Sequence, residues 1–529
     1  MRPLRHIPIL LLLLAALTGP VRAAAVSPGH RERADRKKLC EVFDRIRRMY
    51  VDTVDTESVA EEAVRAMVAS LDPHSEYVAA EEMERFRSLY RGKYGGIGIG
   101  LLRLRDSLVV TTVAPSGPAW QAGVRPDDRI VRIDGRDAIE CLRHEGPEVL
   151  RGEPGTSVTV EVVRRDTPAV RTCRIVRKQI SQPSIEGRCL LDSTIGYIRV
   201  ARFGQTTLAE LHRAYAALGR PHDLILDLRG NRGGLLRQAI GMADFFLPKG
   251  SLIVSTRGRG VPDAEYRADR APQFPEQGRL VVLIDETSAS ASEVVAGALQ
   301  DWDRAVIVGR RSFGKGLVQR QYPLDDGSAL LLVVSRYHTP SGRMIQRPYG
   351  KATDRRAYYA SSCPDSVAGS PFETLRTGRT VYDGGGITPD VIVGRDSTAA
   401  AAEAALLRAQ AFQEAVQNYL DRSRKQLEHD YPDFSAFEAR FRLPEECLND
   451  LFRLAAAHDL AAEVGTLGGE RIGRRLRAMI AQRLFGEAES ARLARDDDPE
   501  LFRAIEILNR WEEAGAPLLV SPASTLPVQ

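Results

Sequence analysis

The stretch Leu280-Val-Val-Leu-Ile-Asp-Glu-Thr-Ser-Ala-Ser-Ala-Ser-Glu293 joins a run of five branched apolar residues to a cluster of small ones. A short apolar run that ends in turn residues is typical of a buried strand. The segment that follows, residues 290–302, has the pattern of a helix, so the strand feeds directly into a helix. Ser290 then falls near a helix N-terminus, where free N–H groups and the helix dipole stabilise negative charge.

The same alternation of strand and helix extends on both sides, over residues 179–395. Further strands are predicted at 195–200, 224–228, 305–308 and 329–335, and further helices at 206–218 and 234–246. Alternating elements of this kind indicate an α/β core.

Three other regions flank or interrupt this core. Residues 25–90 read as a helical N-terminal region, and residues 91–178 as a small, mostly β module with Gly and Pro turns. Residues 396–529 are rich in Ala, Arg, Leu and Glu and predict a helical extension, with amphipathic helices at 399–424 and 467–485. The predicted fold is therefore an α/β multidomain protein with an inserted mostly β domain and helical ends.

The N-terminus resembles an export signal. Arg2 and Arg5 precede a short apolar stretch at 9–17, and small residues suited to cleavage follow at 21–25. Residues 1–24 are accordingly predicted to be a signal peptide of an exported, periplasmic or extracytoplasmic protein. An uncleaved anchor, and with it membrane association, is the alternative, although the stretch is short for a span.

The composition and the cysteine pattern limit the kinds of partner and cofactor that are expected. A net charge of +4 over 529 residues gives no reason to expect nucleic-acid binding. The six cysteines contain no C-x-x-C pair, so no metal is expected. No cofactor is expected either, because the glycine run at 95–100 lacks the spacing and the βαβ unit of a dinucleotide site.

Lys315 stands between two glycines in Ser312-Phe-Gly-Lys-Gly-Leu-Val-Gln319. Lysine is rare in this chain, since only 8 of its 74 basic residues are Lys. Arg keeps its proton in proteins, whereas a desolvated Lys can become a neutral amine and act as a base. A serine with a lysine base is a known variant of nucleophilic catalysis, so Ser290 and Lys315 are a candidate pair. The alternative is that the serines of 288–292 merely cap a helix.

A second glycine-rich loop runs from strand to helix in Leu226-Asp-Leu-Arg-Gly-Asn-Arg-Gly-Gly234. Ligand sites of α/β sheets lie at the carboxyl ends of strands. The backbone N–H of Gly233 or Gly234 is therefore a candidate for one half of an oxyanion hole, and the N–H of Ala291 for the other. The histidines are weaker candidates: His74 reads as a turn residue, and His338 as an unconvincing base.

Four motifs together resemble those of the C-terminal processing peptidases, also called tail-specific proteases. They are Asp227-Leu-Arg-x-Asn-x-Gly-Gly234, Ser288-Ala-Ser-Ala-Ser-Glu293, Phe313-Gly-Lys-Gly-x-Val-Gln319 and Thr339-Pro-Ser-Gly-Arg-x-Ile-Gln346. The resemblance covers about residues 40–395 and implies a serine endopeptidase that cleaves proteins near their C-terminus. By position it makes Ser290 the nucleophile, Lys315 the base and Gln319 the group that holds the Lys amine. It also puts Glu293, Asp301 and Arg199 where the family has supporting residues.

In this family resemblance the β module looks like a PDZ domain. Its carboxylate-binding loop would be Gly96-Ile97-Gly98-Ile99, to which a substrate tail with a free C-terminus adds as a strand. Arg151 occupies a position where some relatives couple the PDZ domain to the active site. The module would thus both bind the tail and gate activity; the alternative is a packing turn that binds nothing.

The chain departs from the common family pattern in an insertion of about residues 347–383 and in its helical extension. The extension leaves an adaptor or activator, a homodimer and a cover over the site as open alternatives. Two other functions also remain: a catalytically silent peptide-binding scaffold with a protease-like fold, and a broader serine hydrolase such as an amidase or esterase.

Overall fold

The computed structural model describes residues 28–520 except 166, 193, 351–353, 362–368, 395 and 496. The predicted signal peptide 1–24 lies outside the described residues. Two helices, α1 (Pro28–Met49) and α2 (Thr56–Ala69), belong to a unit that ends at Ser70. Helix α2 begins after Asp55, whose carboxylate accepts hydrogen bonds from the N–H groups of Glu57 and Ser58, a standard helix cap.

The second unit begins at Leu71. Its first elements are a three-residue strand, β1 (Glu76–Val78), and helix α3 (Met83–Arg91). The strand lies in a region that the sequence predicts as helical apart from the turn at His74, because a pairing partner far along the chain decides its conformation.

The β module follows as an insertion. Its elements are β2 (Lys93–Gly96), β3 (Ile99–Leu104), β4 (Ser107–Val113), α4 (Pro118–Gln121), β5 (Arg129–Ile133), β6 (Arg136–Asp137), α5 (Ala138–Glu145), β7 (Ser157–Arg164), β8 (Thr167–Val176) and β9 (Lys178–Ser181). The main sheet has the order β3-β4-β5-β7-β8, with β6 paired to β5. Strands β2 and β9 form a separate antiparallel ribbon at the module's base.

The core contains two sheets and the helices packed on them. Its elements are β10 (Ile185–Leu190), β11 (Ile195–Val200), α6 (Thr207–Ala217), β12 (Asp223–Asp227), α7 (Leu236–Asp244), β13 (Leu252–Arg257), β14 (Ala264–Arg267), β15 (Arg279–Ile284), α8 (Ala291–Asp301), β16 (Val306–Gly309), β17 (Leu317–Pro323), β18 (Ala329–His338), α9 (Arg355–Ala360), β19 (Pro371–Glu373), β20 (Thr380–Tyr382) and β21 (Val391–Ile392).

The larger core sheet has the order β10-β11-β12-β15-β16-β21 and is parallel from β11 onwards. Its central strands are buried along almost their whole length, as expected for a parallel sheet covered on both faces. In the second sheet, β1-β18-β13-β14 with β17 paired to β18, Tyr337 of β18 donates to the carbonyls of both Ser290, which follows β15, and Lys315, which precedes β17. The loops that precede α8 and β17 therefore meet.

The C-terminal region is helical, as predicted. Its helices are α10 (Ser397–Arg408), α11 (Ala411–Asp430), α12 (Phe434–Arg440), α13 (Glu445–Ala456), α14 (Ala461–Leu467), α15 (Gly469–Phe485), α16 (Glu487–Ala494) and α17 (Pro499–Asn509). Most of them share their own apolar core. Helix α17 instead packs Leu501, Ile507 and Leu508 against Val281 and Val306 of the parallel sheet, so the end of the extension completes one face of the core.

Within the described ranges, no helix is both long enough and apolar enough to span a bilayer. In the same residues no group of three or more His, Cys, Asp or Glu is placed to hold a metal ion.

Candidate active site

Ser290 lies in the tight turn between β15 and α8, at the N-cap of α8. Its backbone has φ 57° and ψ −111°. Residues other than glycine rarely adopt this conformation, and those that do cluster at functional sites. The neighbouring serines are committed elsewhere: the buried hydroxyls of Ser288 and Ser292 donate to the carbonyls of Leu228 and Asn231 at 2.8 and 2.9 Å. Ser290 instead lines an open cleft, so it is the serine of the three that a substrate can reach.

Asn231 ties the glycine loop to the serine turn. Its side chain donates to the carbonyl of Val200 at 2.8 Å and accepts the N–H of Gly233 at 2.9 Å. Its backbone carbonyl accepts from Ser292 Oγ and from the N–H of Ala289, at 2.9 and 3.0 Å. Asn231 is buried and thus binds both loops, through its side chain and its backbone carbonyl. Its place in the glycine motif alone does not indicate this role.

Gly233 is required by close packing. It has φ 98°, and a Cβ there would lie 2.7 Å from the carbonyl oxygen of Ala289 and 2.9 Å from Ser290 Cβ. Because neither backbone can yield easily, a side chain at 233 would displace the Ser290 turn.

The predicted oxyanion donors need one correction. The N–H of Gly233 is engaged by Asn231, so in this conformation it is not a free donor. Among the described hydrogen bonds, none uses the N–H of Gly234 or of Ala291. Ala291 is the first residue of α8, where backbone N–H groups lack intrahelical partners, and both residues line the cleft with Ser290. Gly234 and Ala291 are therefore the pair that can stabilise an oxyanion.

Lys315 and Gln319 are in direct contact. Lys315 Nζ donates to Gln319 Oε1 at 2.7 Å, and Gln319 Nε2 donates to the carbonyl of His74 at 2.7 Å. The carbonyl of His74 can accept only from the amide nitrogen, so it fixes which end of the Gln319 amide faces the lysine. The lysine amine is therefore held from a direction set by the turn before β1.

Glu293 links the two loops that carry Ser290 and Lys315. The carboxylate is buried and accepts the N–H groups of Ser290 and Lys315 on one oxygen, at 2.7 and 2.9 Å. Its other oxygen accepts Ser312 Oγ and the N–H of Gly314, both at 2.6 Å. Burial raises the pKa of Glu293, and these donors partly oppose that rise.

Tyr337 forms a second link from the opposite side. Its hydroxyl lies 3.1 Å from the carbonyl oxygen of Ser290 and 2.5 Å from that of Lys315. The described contacts include no hydrogen bond between Ser290 Oγ and Lys315 Nζ. Catalytic hydrogen bonds are often long without substrate, and the two backbones are held together through Glu293 and Tyr337.

The surroundings of Lys315 favour its neutral amine. Burial is the main cause that lowers the pKa of Lys315, and the positive charge of Arg355 lowers it further. The carboxylates of Glu293, Glu76 and Asp72 act in the opposite direction. A serine hydroxyl at a helix N-terminus beside such an amine can be deprotonated for attack on a carbonyl.

Aromatic residues of the insertion cover this loop. Phe313 stacks on Tyr359 with ring centroids 5.5 Å apart, and the Arg347 guanidinium lies over the rings of both Phe313 and Tyr358, at 4.0 and 3.8 Å. The imidazole of His74 is buried against Tyr358, and its Nδ1 lies 2.8 Å from Tyr359 Oη. Burial, with the charge of Lys315, lowers the pKa of His74 to about 3. His74 does lie in a turn, but as a neutral, buried part of the surroundings of Lys315.

The cleft in front of Ser290 has a volume of about 490 Å³. Phe86, Arg87 and Tyr90 of α3 line one side of it, and Leu317 and Gln319 of β17 line another. It is open to solvent.

Two of the predicted supporting residues lie elsewhere. Asp301 is at the opposite end of α8 from Ser290, where its carboxylate pairs with Arg343 and accepts the N–H of Ser341 at 2.9 Å. Arg199 lies at the carboxyl end of β11, where it faces Asp227 of the neighbouring strand. Together with Arg229 it lines a different, larger cavity. The structure therefore does not bring Asp301 or Arg199 to the serine.

The predicted tail-binding loop leads into the edge strand β3. Ile97 is buried and Gly98 has φ 75°, while the carbonyls of Ile97 and Gly98 accept the N–H groups of Ala119 and Ala114. Both carbonyls are thus occupied within the module. Arg151 lies at the base of the module, with its guanidinium 4.7 Å from the ring centre of Tyr94.

Three family models match the chain. "Peptidase family S41" matches residues 194–355, "PDZ domain" matches residues 95–170, and a "Family of unknown function (DUF8443)" matches residues 404–486. The first two models fall on the core and on the β module, respectively. The predicted fold class, with an S41 protease core and a mostly β PDZ domain, is confirmed.

Similar proteins are known from bacteria. The chain is 39% identical over 312 residues to a "Carboxy-terminal-processing protease" of Bartonella bacilliformis, covering 58% of this chain and 71% of the relative. It is 30% identical over 313 residues to "Carboxy-terminal processing protease CtpA" of Bacillus subtilis, covering 59% and 66%. Among solved structures, the photosystem II D1 C-terminal processing protease is 26% identical with a TM-score of 0.36, covering 68% and 93% of the two chains. The chain therefore belongs to the carboxy-terminal processing proteases of peptidase family S41, a family of serine peptidases.

Proposed function

We propose that this protein is an exported serine endopeptidase that cleaves proteins near their C-terminus through a dyad of Ser290 and Lys315. The observation that carries the proposal is that hydrogen bonds to one buried carboxylate hold the backbones of both residues. The Glu293 carboxylate accepts the N–H of both, and Gln319 holds the lysine amine.

In the proposed reaction, the neutral amine of Lys315 takes the proton of Ser290 Oγ as the oxygen attacks a peptide carbonyl. The oxyanion that forms lies between the N–H groups of Gly234 and Ala291. Lys315 then passes the proton to the leaving amine, the peptide bond breaks and an ester to Ser290 remains. The same lysine then takes a proton from water as the water attacks this ester. It passes that proton to Ser290 Oγ as the ester bond breaks, which restores the serine and releases the new C-terminus.

The PDZ domain supplies the choice of substrate in this proposal. Strand β3 is the last strand of its sheet, so its outer edge can accept a substrate tail as an added strand. The carboxylate of the tail would lie at the N–H groups of the loop 96–99, and the domain would gate access to the cleft. A metal or other cofactor has no part in these steps.

The first test is cleavage of an unstructured protein with an apolar C-terminus by residues 25–529, beside the Ser290→Ala variant. Cleavage by the parent alone is the expected result. Equal cleavage by both would remove Ser290 from the mechanism. If neither cleaves but both bind the tail, the protein is a peptide-binding scaffold. Cleavage of simple esters or amides without regard to a C-terminus would indicate a broader hydrolase.

Export is part of the proposal and has its own test. Cell fractionation of the native host should place the mature chain outside the cytoplasm, with an N-terminus near residue 25. A chain recovered intact from the cytoplasm would contradict it.

A further inference from the structure

One face of helix α11 is polar over residues 414–424 and contacts the PDZ domain. Four residues of the helix, Glu414, Gln417, Asp421 and Arg424, recur at spacings of three and four, which places them in one row. Gln410, the N-cap residue just before the first turn, extends this row at its start. Each of the five contacts the PDZ domain directly. The helix lies in the segment that matches a family of unknown function.

The acidic members of this row meet arginines of the PDZ domain. Glu414 pairs with Arg105 at 2.9 Å. Asp421, whose side chain is only 1% exposed, pairs with Arg129 at 2.7 Å and with Arg165 at 3.1 Å. An aspartate this deeply covered by two arginines from another domain is unlike a solvated surface pair, which contributes little.

The charges are reversed one turn further along. Asp127 of the PDZ domain pairs with Arg424 and, at 2.7 Å, with Arg483 of α15. The buried amide of Gln417 donates to both Asp127 and Asp421, at 3.1 and 2.9 Å, and accepts from Arg483 at 2.8 Å. The contact is therefore one connected network in which each side offers both charges, a pattern that specifies a partner and its orientation.

The first member of the row reaches the tail-binding edge itself. Gln410 Nε2 donates to the carbonyl of Arg103 on β3 at 2.6 Å. Leu101 of β3 is paired with Val110 of β4. The N–H and C=O of Val110 point away from β3, because they bond to Asp128 and Asp127. Leu101 and, two residues on, Arg103 therefore direct their backbone groups to the free edge of β3. Gln410 thus occupies an acceptor that an added strand would use.

We infer that the helical segment 404–486 is the docking surface for the chain's own PDZ domain, and that a long substrate tail loosens this contact by displacing Gln410 from β3. A tail that starts at the loop 96–99 and runs along β3 meets Arg103 at about its fifth residue from the end. Shorter tails leave the contact intact. The docking stands on the contacts described, whereas the competition also rests on the proposed binding of tails.

Hydrogen exchange of the full chain, in the Ser290→Ala background, tests the docking. Asp421→Asn keeps the shape of the side chain but leaves two arginines without their charge partner. We expect amide exchange in α11 and around 127–129 to rise at least about tenfold. The matched control is Asp450→Asn, since the ion pairs of Asp450 within the described part of the chain are with Arg422 and Arg453, inside the helical segment. Unchanged exchange in the Asp421 variant would overturn the docking surface.

Binding of labelled peptides by fluorescence anisotropy tests the competition. Gln410→Ala should bind an apolar peptide of about ten residues roughly fivefold more tightly than the parent, and one of about four residues equally. The control is Gln426→Ala, because the side chain of Gln426 donates to Asp430 on the same helix, and no bond from it to the PDZ domain is found among the described residues. Addition of the long peptide should also raise exchange at the start of α11. Equal affinity of Gln410→Ala and parent for the long peptide would overturn the competition. Failure of every variant to bind either peptide would remove the proposed tail binding, and the competition with it, while the exchange result for Asp421→Asn would still stand.

Discussion

Replacing Glu293 by Gln should loosen both halves of the proposed dyad at once. The carboxylate of Glu293 accepts four hydrogen bonds, two on each oxygen. An amide offers one oxygen and one NH₂ group, so in either orientation two donors lose their acceptor. A buried donor without a partner costs about 1–3 kcal/mol, so the local loss is about 2–6 kcal/mol.

The loss can be measured at the amides themselves. One orientation of the amide releases the N–H groups of residues 290 and 315, and the other releases that of Gly314 together with Ser312 Oγ. In the Ser290→Ala background, hydrogen exchange of the released N–H groups should accelerate at least about 30-fold, the equivalent of 2 kcal/mol. In the active enzyme kcat/KM should fall about 100-fold, because misplacement of catalytic groups by about 1 Å has an effect of that size. The control is Glu265→Gln, a well-exposed carboxylate paired with Arg267. Native exchange rates together with undiminished kcat/KM would refute the view that Glu293 holds the two loops.

Three further outcomes are expected. Lys315→Arg should abolish turnover while the far-UV circular dichroism spectrum is retained, since Arg keeps the charge but cannot act as a base; an active variant would contradict the dyad. The kcat/KM of the parent should rise with pH as Lys315 loses its proton, with a midpoint below the ordinary lysine pKa. Removing the cation in Arg355→Gln should raise the pKa of Lys315 and move this limb to higher pH, whereas Glu76→Gln should move it to lower pH; shifts in the same direction would contradict the assigned charges. Gly233→Ala should reduce kcat/KM about 100-fold, because its Cβ would press on the Ser290 turn, and near-normal activity would show that the turn can yield.

Local pattern was sufficient for most of the core. The run Leu280–Ile284 predicts a buried strand, and the structure places β15 at Arg279–Ile284. Ser290 and Lys315 could be singled out because small residues and glycines mark the loops that carry them. Contacts between residues far apart in the chain could not be predicted from such local patterns. Strand β1 exists only through its pairing with β18, and nothing near His74 in the sequence signals the tyrosines that bury it.

The contact of the charged row of α11 with the PDZ domain could not be predicted for a second reason. Its spacing is visible in the sequence, but a polar helix face is ordinarily solvated, so the pattern alone does not indicate a partner. Only the PDZ arginines opposite Glu414 and Asp421 distinguish the two cases. The predicted oxyanion donor Gly233 required the same kind of correction, since the competing acceptor on Asn231 belongs to the folded loop.

The ribbon formed by β2 and β9 has a consequence for how the protein is organised. The chain enters and leaves the PDZ domain side by side, with Gly96 directly opposite Lys178. Opposed residues of an antiparallel pair have Cα atoms only about 5 Å apart. A tight turn of about two residues would therefore close the chain at this point and leave a continuous protease without its PDZ domain. It also means that the polypeptide joins the domain to the core at one narrow stalk, so that its orientation depends on the non-covalent contacts with α11 and α15.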